Sequence, residues 1–216
     1  MPIENEILTL ENQGWVTSIR LPSEKPEASI LLLHGWTGNE QSMWVFARGL
    51  TSYFIFAPRG PIHAEQGFGW ASPTKSGEFA SFADFLKVTS RLADWAASIC
   101  SHYQTEHLPV YLMGFSQGAA LALILSFRFP NRFSRVAVLS GFLPDGSQEY
   151  LKENSLSDLS FFFAHGKNDE IVPFALGQKA AAVISFAGAK MTFCESETGH
   201  KLDAHCYKNL YSFITG

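Results

Sequence analysis

The chain has 216 residues, of which 46% are hydrophobic and 17% charged, with a formal net charge of −4. This is apolar enough to core one domain spanning residues 1–216, and it leaves no basic footprint for a nucleic-acid partner. Met1 to Glu6 is acidic where a secretory leader would be basic, and no apolar run approaches the roughly 18 residues a spanning helix needs. A cytoplasmic protein without stable membrane association is expected.

Two β-like segments come first, Ile7 to Glu11 and Trp15 to Leu21, joined by the hairpin signal Asn12-Gln13-Gly14. Ala28 to Leu33 is continuously apolar, as a strand buried on both faces should be, and it ends at His34-Gly35. Ser42 to Leu50 has helical spacing, with Met43, Phe46, Ala47 and Leu50 on one face, and Tyr53 to Ala57 is the next buried strand. Pro58 to Gly77 is rich in Gly and Pro without a period, a loop of a length that is usually either functional or disordered. A helix over Phe79 to His102 follows, then a strand over Val110 to Met113, a helix over Gln117 to Phe129 and a strand over Phe133 to Leu139. After the polar excursion Gly141 to Asp158 come strand Leu159 to Ala164, helix Pro173 to Phe186, strand Lys190 to Glu195 and helix Leu202 to Ile214. Alternating strands and helices imply a mostly parallel sheet with an antiparallel N-terminal edge, and a ligand crevice beyond the strands' carboxyl ends. Cys100, Cys194 and Cys206, an odd number without C-x-x-C spacing, read as reduced thiols in or near the core.

At one such carboxyl end stands Gly114-Phe115-Ser116-Gln117-Gly118, between a strand-like and a helix-like run. A serine held on so sharp a turn needs neighbours two before and two after that lack side chains, and Gly114 and Gly118 supply that room. A serine hydroxyl is a weak nucleophile, so Ser116 calls for a base and the base for an acid that fixes its tautomer. In this architecture the partners follow in the order Ser, Asp/Glu, His. His165, His200 and His205 lie downstream. His165 ends a strand ahead of its nearest acid and reads as a loop anchor; His205 falls inside the last helix; His200, in the loop after the last strand, is the candidate base. Asp169 is the candidate acid, with Glu170 as its nearest rival, because Asp145 in Pro144-Asp145-Gly146 is explained by turn chemistry and Asp203 by the helix dipole. The N–H of Gln117, opening a helix, and that of Trp36, in the glycine-bearing loop His34 to Glu40, are the candidate oxyanion donors. No HExxH occurs, and the pairs His102/His107 and His200/His205 are spaced five apart rather than four, so neither metal nor cofactor is expected.

The motifs His34-Gly35-x-x-Gly38, Ala57-Pro58-Arg59-Gly60-Pro61, Gly67-Phe68-Gly69-Trp70, GFSQG, His165-Gly166-Lys167-Asn168-Asp169-Glu170-Ile171-Val172-Pro173 and Gly199-His200 span most of the chain. Together they resemble the α/β-hydrolases of the phospholipase/carboxylesterase group, which includes the acyl-protein thioesterases and lies near the dienelactone hydrolases. The resemblance implies an α/β-hydrolase fold with helices on both faces and no large lid domain, and it implies the same roles for Ser116, Asp169, His200, Trp36 and Gln117. Two departures stand out: Gly-Trp-Thr-Gly replaces the Gly-Leu-Gly-Asp common in acyl-protein thioesterases, and serine stands where dienelactone hydrolases use cysteine. The expected activity is hydrolysis of small esters or thioesters through an acyl-enzyme on Ser116, with short to medium acyl chains walled by Phe68 and Trp70. The alternatives are lactonase or perhydrolase chemistry at the same residues, and a non-catalytic binding protein on this fold.

Overall fold

The computed structural model describes residues 6–73, 78–151 and 155–216. Strands β1 (Ile7–Asn12) and β2 (Trp15–Arg20) form the expected hairpin, turning through Gln13 and Gly14 at φ 50° and 75°. Then come β3 (Ser29–Leu33), β4 (Phe54–Pro58), β5 (Ile62–Ala64), β6 (Gly67–Gly69), β7 (Val110–Phe115), β8 (Arg135–Leu139), β9 (Ser160–Gly166) and β10 (Lys190–Ser196). Eight strands make one sheet in the order β1-β2-β4-β3-β7-β8-β9-β10; the two contacts at the β1 edge are antiparallel and the rest are parallel. The chain steps from β3 to one side as β4 and later returns to β3's other side as β7. That reversal opens a crevice at the carboxyl ends of β3 and β7, where Leu33 pairs with Gly114.

Because successive side chains point to opposite faces, each apolar strand serves two cores. Leu31, Leu33, Leu112, Phe161 and Phe163 pack against α1 (Phe82–His102), α2 (Gln117–Arg128) and α4 (Phe174–Phe186). Ile30, Leu32, Met113, Phe162 and Ala164 pack against α5 (Ala204–Thr215) and the segment 43–50. A short α3, Ser147–Leu151 in chain order, lies within the excursion after β8. Helix α1 starts at Phe82 rather than Phe79, because Ser81 and Asp84 close a reciprocal capping box.

Two expectations are corrected by the backbone. Ser42 to Leu50 is not a helix but a run of turns with one 3-10 turn, Trp44–Phe46. The carbonyls of Ala47 and Leu50 accept from the buried Arg20 guanidinium at 3.0 and 2.8 Å, and Gly49 adopts φ +80°. A side chain from β2 thus takes acceptors that a helix would have kept for itself. Within the expected loop Pro58 to Gly77, β5 and β6 form a small antiparallel hairpin, while residues 74–77 lie outside the described residues.

A third correction concerns the cysteines. Cys194 on β10 and Cys206 in the first turn of α5 form a disulfide, with Cα atoms 5.7 Å apart, and Cys100 is free and buried. The packing of α5 on the sheet brings the pair together, which an odd cysteine count could not reveal. The bond closes a loop between residues 12 apart in sequence. Removing it with a Cys194→Ser/Cys206→Ser pair is expected to lower unfolding free energy by about 3 kcal/mol. A urea midpoint equal to that of the oxidised protein would contradict this.

Candidate active site

Ser116 sits between β7 and α2 at φ 54°, ψ −117°, on the side of the backbone map that costs a non-glycine residue strain. Its N–H donates to Leu139 O at 2.9 Å, and its carbonyl accepts from Ala119 and Ala120, so sheet and helix together impose the turn. Both flanking glycines are sterically required. A Cβ on Gly114 would strike the Gly118 carbonyl, and one on Gly118 would strike the Leu33 carbonyl at the end of β3. Helix α2 is buried along its length from Gln117 to Phe127, which anchors the turn from below.

The loops after β9 and β10 bring two more of the singled-out residues into one hydrogen-bonded pair. His200 Nδ1 lies 2.7 Å from Asp169 Oδ2. An ionised carboxylate only accepts, so Nδ1 carries the proton and Nε2 keeps a free lone pair. Asp169 Oδ1 accepts the N–H groups of Ile171 and Val172 at 3.0 and 2.9 Å, leaving the side chain wholly buried. The loops themselves are sewn together: Lys167 N–H donates to Ser196 O and Asn168 N–H to Thr198 O. The His200 ring rests 4.7 Å, centroid to centroid, from Phe115, the residue before the serine.

On the opposite side, the loop after β3 closes over Ser116; a Cβ on Gly35 would come within 3.3 Å of Ser116 Cβ. His34 shapes this loop. The Gly60 N–H donates to His34 Nε2 at 2.8 Å, which fixes the proton on Nδ1, where it donates to Gly35 O at 2.7 Å. Burial holds His34 down to about pKa 4, since protonation would aim a new N–H at the Gly60 N–H. Glu40 accepts two hydrogen bonds from Arg59 at 2.6 and 2.8 Å, and that guanidinium holds its carboxyl below the usual range. The unfolded chain binds His34's proton near pH 6.5 and the native one only near 4, so stability is lost as pH falls through this window. His34 alone should withdraw about 2 kcal/mol between pH 7 and 5. Urea titrations at both pH values check this; in a His34→Gln variant the difference should shrink by that amount.

Trp70 is not the open wall of the substrate site that was expected. Its ring is 1% exposed and packs against Trp15 and His34, its indole N–H donates to His34 O at 2.7 Å, and its backbone N–H donates to Gln117 Oε1 at 2.8 Å. Gly69, without a side chain, passes close against the Trp36 indole as the chain carries Trp70 into the core. Phe68 is half-buried, between the Arg59 guanidinium 4.6 Å away and the His63 ring. The Gln117 side chain, not anticipated as a contact, clamps this segment, because its Nε2 also donates to Ala71 O at 2.6 Å. A polar residue opening an otherwise apolar buried helix was the signal that it must find such partners. Trp36 is 39% exposed, with its indole lying across Gly69, where a Cβ would collide with it.

The residues set aside in the sequence stand elsewhere. Asp145 is exposed in its turn, and its carbonyl accepts from Phe82 N–H. Asp203 caps α5 by accepting from Cys206 N–H at 2.8 Å, His205 is exposed beside Asn209, and Glu170 is exposed.

An eight-stranded, mostly parallel sheet carrying a strained serine beyond its central strand defines the α/β-hydrolase fold. Solved structures agree: a carboxylesterase from Mesorhizobium loti superposes with TM-score 0.83 at 20% identity, covering 99% of this chain and 100% of that one. A carboxylesterase from Bacillus cereus superposes with TM-score 0.81 at 20% identity, covering 94% and 95%. The chain belongs to the phospholipase/carboxylesterase family, whose model matches residues 98–216, and is therefore a hydrolase of the esterase type. It is 29% identical to acyl-protein thioesterase 1 of Emericella nidulans over 76% of this chain and 79% of that protein. It is 26% identical to lysophospholipase-like protein 1 of Mus musculus over 89% and 88%. Among the described residues no helix is long and apolar enough to cross a membrane.

Proposed function

We propose that the protein hydrolyses small carboxylic esters or thioesters through a covalent acyl-enzyme on Ser116, with His200 as base and Asp169 as the acid that orients it. The observation that carries this reading is the 2.7 Å bond between Asp169 Oδ2 and His200 Nδ1, which leaves Nε2 as the lone-pair nitrogen of a ring 4.7 Å from Phe115, the residue before a serine held in a strained turn. Ser116 Oγ attacks the acyl carbon as His200 Nε2 takes its proton. The N–H groups of Gln117 and Trp36 receive the negative charge on the carbonyl oxygen. Collapse breaks the bond to the alcohol or thiol, which leaves with the proton from His200. Water then repeats the sequence on the acyl-enzyme, releases the carboxylic acid and restores Ser116.

The half-buried Phe68 beside the loop after β3, and the exposed indole of Trp36, are the apolar surfaces we assign to the substrate. Surfaces this open suit short to medium acyl chains, discriminated by about 1 to 3 kcal/mol per methylene. Labelling with a fluorophosphonate probe followed by peptide mapping tests the reading. Modification at Ser116 is expected; an unlabelled protein would favour a non-catalytic binding role. A panel of p-nitrophenyl esters and acyl thioesters of graded length, run beside lactones, then sets the substrate class.

A further inference from the structure

A second histidine reaches the buried carboxylate. His165, at the end of β9, places Nε2 3.3 Å from Asp169 Oδ2 and 2.8 Å from Val172 O. A carbonyl can only accept, so Nε2 carries the proton and donates it to Val172 O, with Asp169 Oδ2 in polar contact 3.3 Å away. Both side chains are almost sealed from solvent, at 2% and 0% exposure. A buried carboxylate needs a donor for every lone pair it is to keep charged. Three donors are already accounted for, two backbone N–H groups on Oδ1 and His200 on Oδ2. His165 donates instead to the carbonyl of Val172, whose own N–H is one of the three, and brings its Nε2 to 3.3 Å from Oδ2.

The ring has a place made for it. Gly177 on α4 faces Nδ1 so closely that a Cβ there would overlap the imidazole, and Phe174 meets the ring edge-on at 5.8 Å. Burial lowers the His165 pKa, so the ring is a neutral donor rather than a competing cation.

We propose that His165 is a positioning residue: its Nε2–H holds the Val172 carbonyl, and with it the turn whose N–H groups grip Asp169 Oδ1, so that Oδ2 stays in line with His200 Nδ1. The proposal rests on Asp169 being the acid. His165 touches neither Ser116 nor the substrate in this arrangement, so its removal should act on kcat and leave KM alone.

The test compares His165→Leu, which lacks the donor, with His165→Gln, whose amide nitrogen reaches about as far as Nε2, each alone and with Asp169→Asn. His165→Leu is expected to lower kcat about 10- to 100-fold with KM unchanged, and His165→Gln to recover most of the loss. In the Asp169→Asn background the cost of His165→Leu should vanish, because no carboxylate remains to be held. If Asp169→Asn is crippled while His165→Leu keeps its kcat, the positioning role is overturned and the triad stands. If Asp169→Asn is fully active, both fall. Should His165→Leu fail to fold, Gly177→Ala addresses the same point with the histidine present. Its methyl must displace the ring, and an unchanged kcat would overturn the proposal.

Discussion

Ser116→Ala is expected to lower kcat on a p-nitrophenyl ester by about four to six orders of magnitude. The nucleophile is the one group for which neither water nor a neighbour can substitute in the same geometry. The proposed oxyanion donors, the backbone N–H groups of Gln117 and Trp36, survive the change, so some acceleration over water should persist. Folding should survive too. Alanine meets the same positive φ as serine, and the turn is imposed by the backbone bonds to Leu139, Ala119 and Ala120 rather than by the hydroxyl. Measuring kcat beside a urea midpoint separates the two effects. Activity above a few per cent in a folded protein would remove Ser116 from the mechanism.

Asp169→Asn should cost about four orders of magnitude in kcat, for a reason specific to this loop. The Oδ1 position is fixed as an acceptor by the N–H groups of Ile171 and Val172. An asparagine must therefore turn its carbonyl there and point its NH2 group at His200 Nδ1. Two donors cannot face each other, so the imidazole proton moves to Nε2 and the lone pair needed by Ser116 is lost. Asp145→Asn, in an exposed turn, should stay within about twofold of the parent. A larger loss at Asp145 than at Asp169 would transfer the acid to the loop after β8.

How much of this was legible in the sequence varied with the range of the interactions involved. The strands from Ala28, Val110 and Leu159 announced themselves, because a strand buried on both faces writes its burial in consecutive apolar residues. The elbow was legible because its glycines answer collisions within four residues, apart from the one with the Leu33 carbonyl. Ser42 to Leu50 kept its apolar spacing but not its helix, since the deciding partner, Arg20, lies on another strand. Trp70 misled for a similar reason: its two N–H partners, His34 and Gln117, are 36 and 47 residues away. Asp169 and His200 could be ordered along the chain, but the contact of His165 with Asp169 depends on how the loop curls after β9. A histidine closing a strand of buried phenylalanines was the available clue.

The Cys194–Cys206 disulfide also determines which parts of the molecule can open independently. Helix α5 buries one stripe, Cys206, Leu210 and Ile214, and by itself would be a small unit able to detach and reattach without disturbing the sheet. The crosslink joins its first turn to β10, so the segment carrying His200 is tethered at both ends to that edge strand of the sheet. In an oxidising medium the amides of Cys206 and Tyr207, which donate to Asp203, should exchange with solvent only as fast as β10 itself opens. With a reducing dithiol present, they should exchange as a separate, faster set. Redox conditions would then alter the fraction of time that a folded molecule holds His200 in place, with no change to any atom of Ser116, Asp169 or His200.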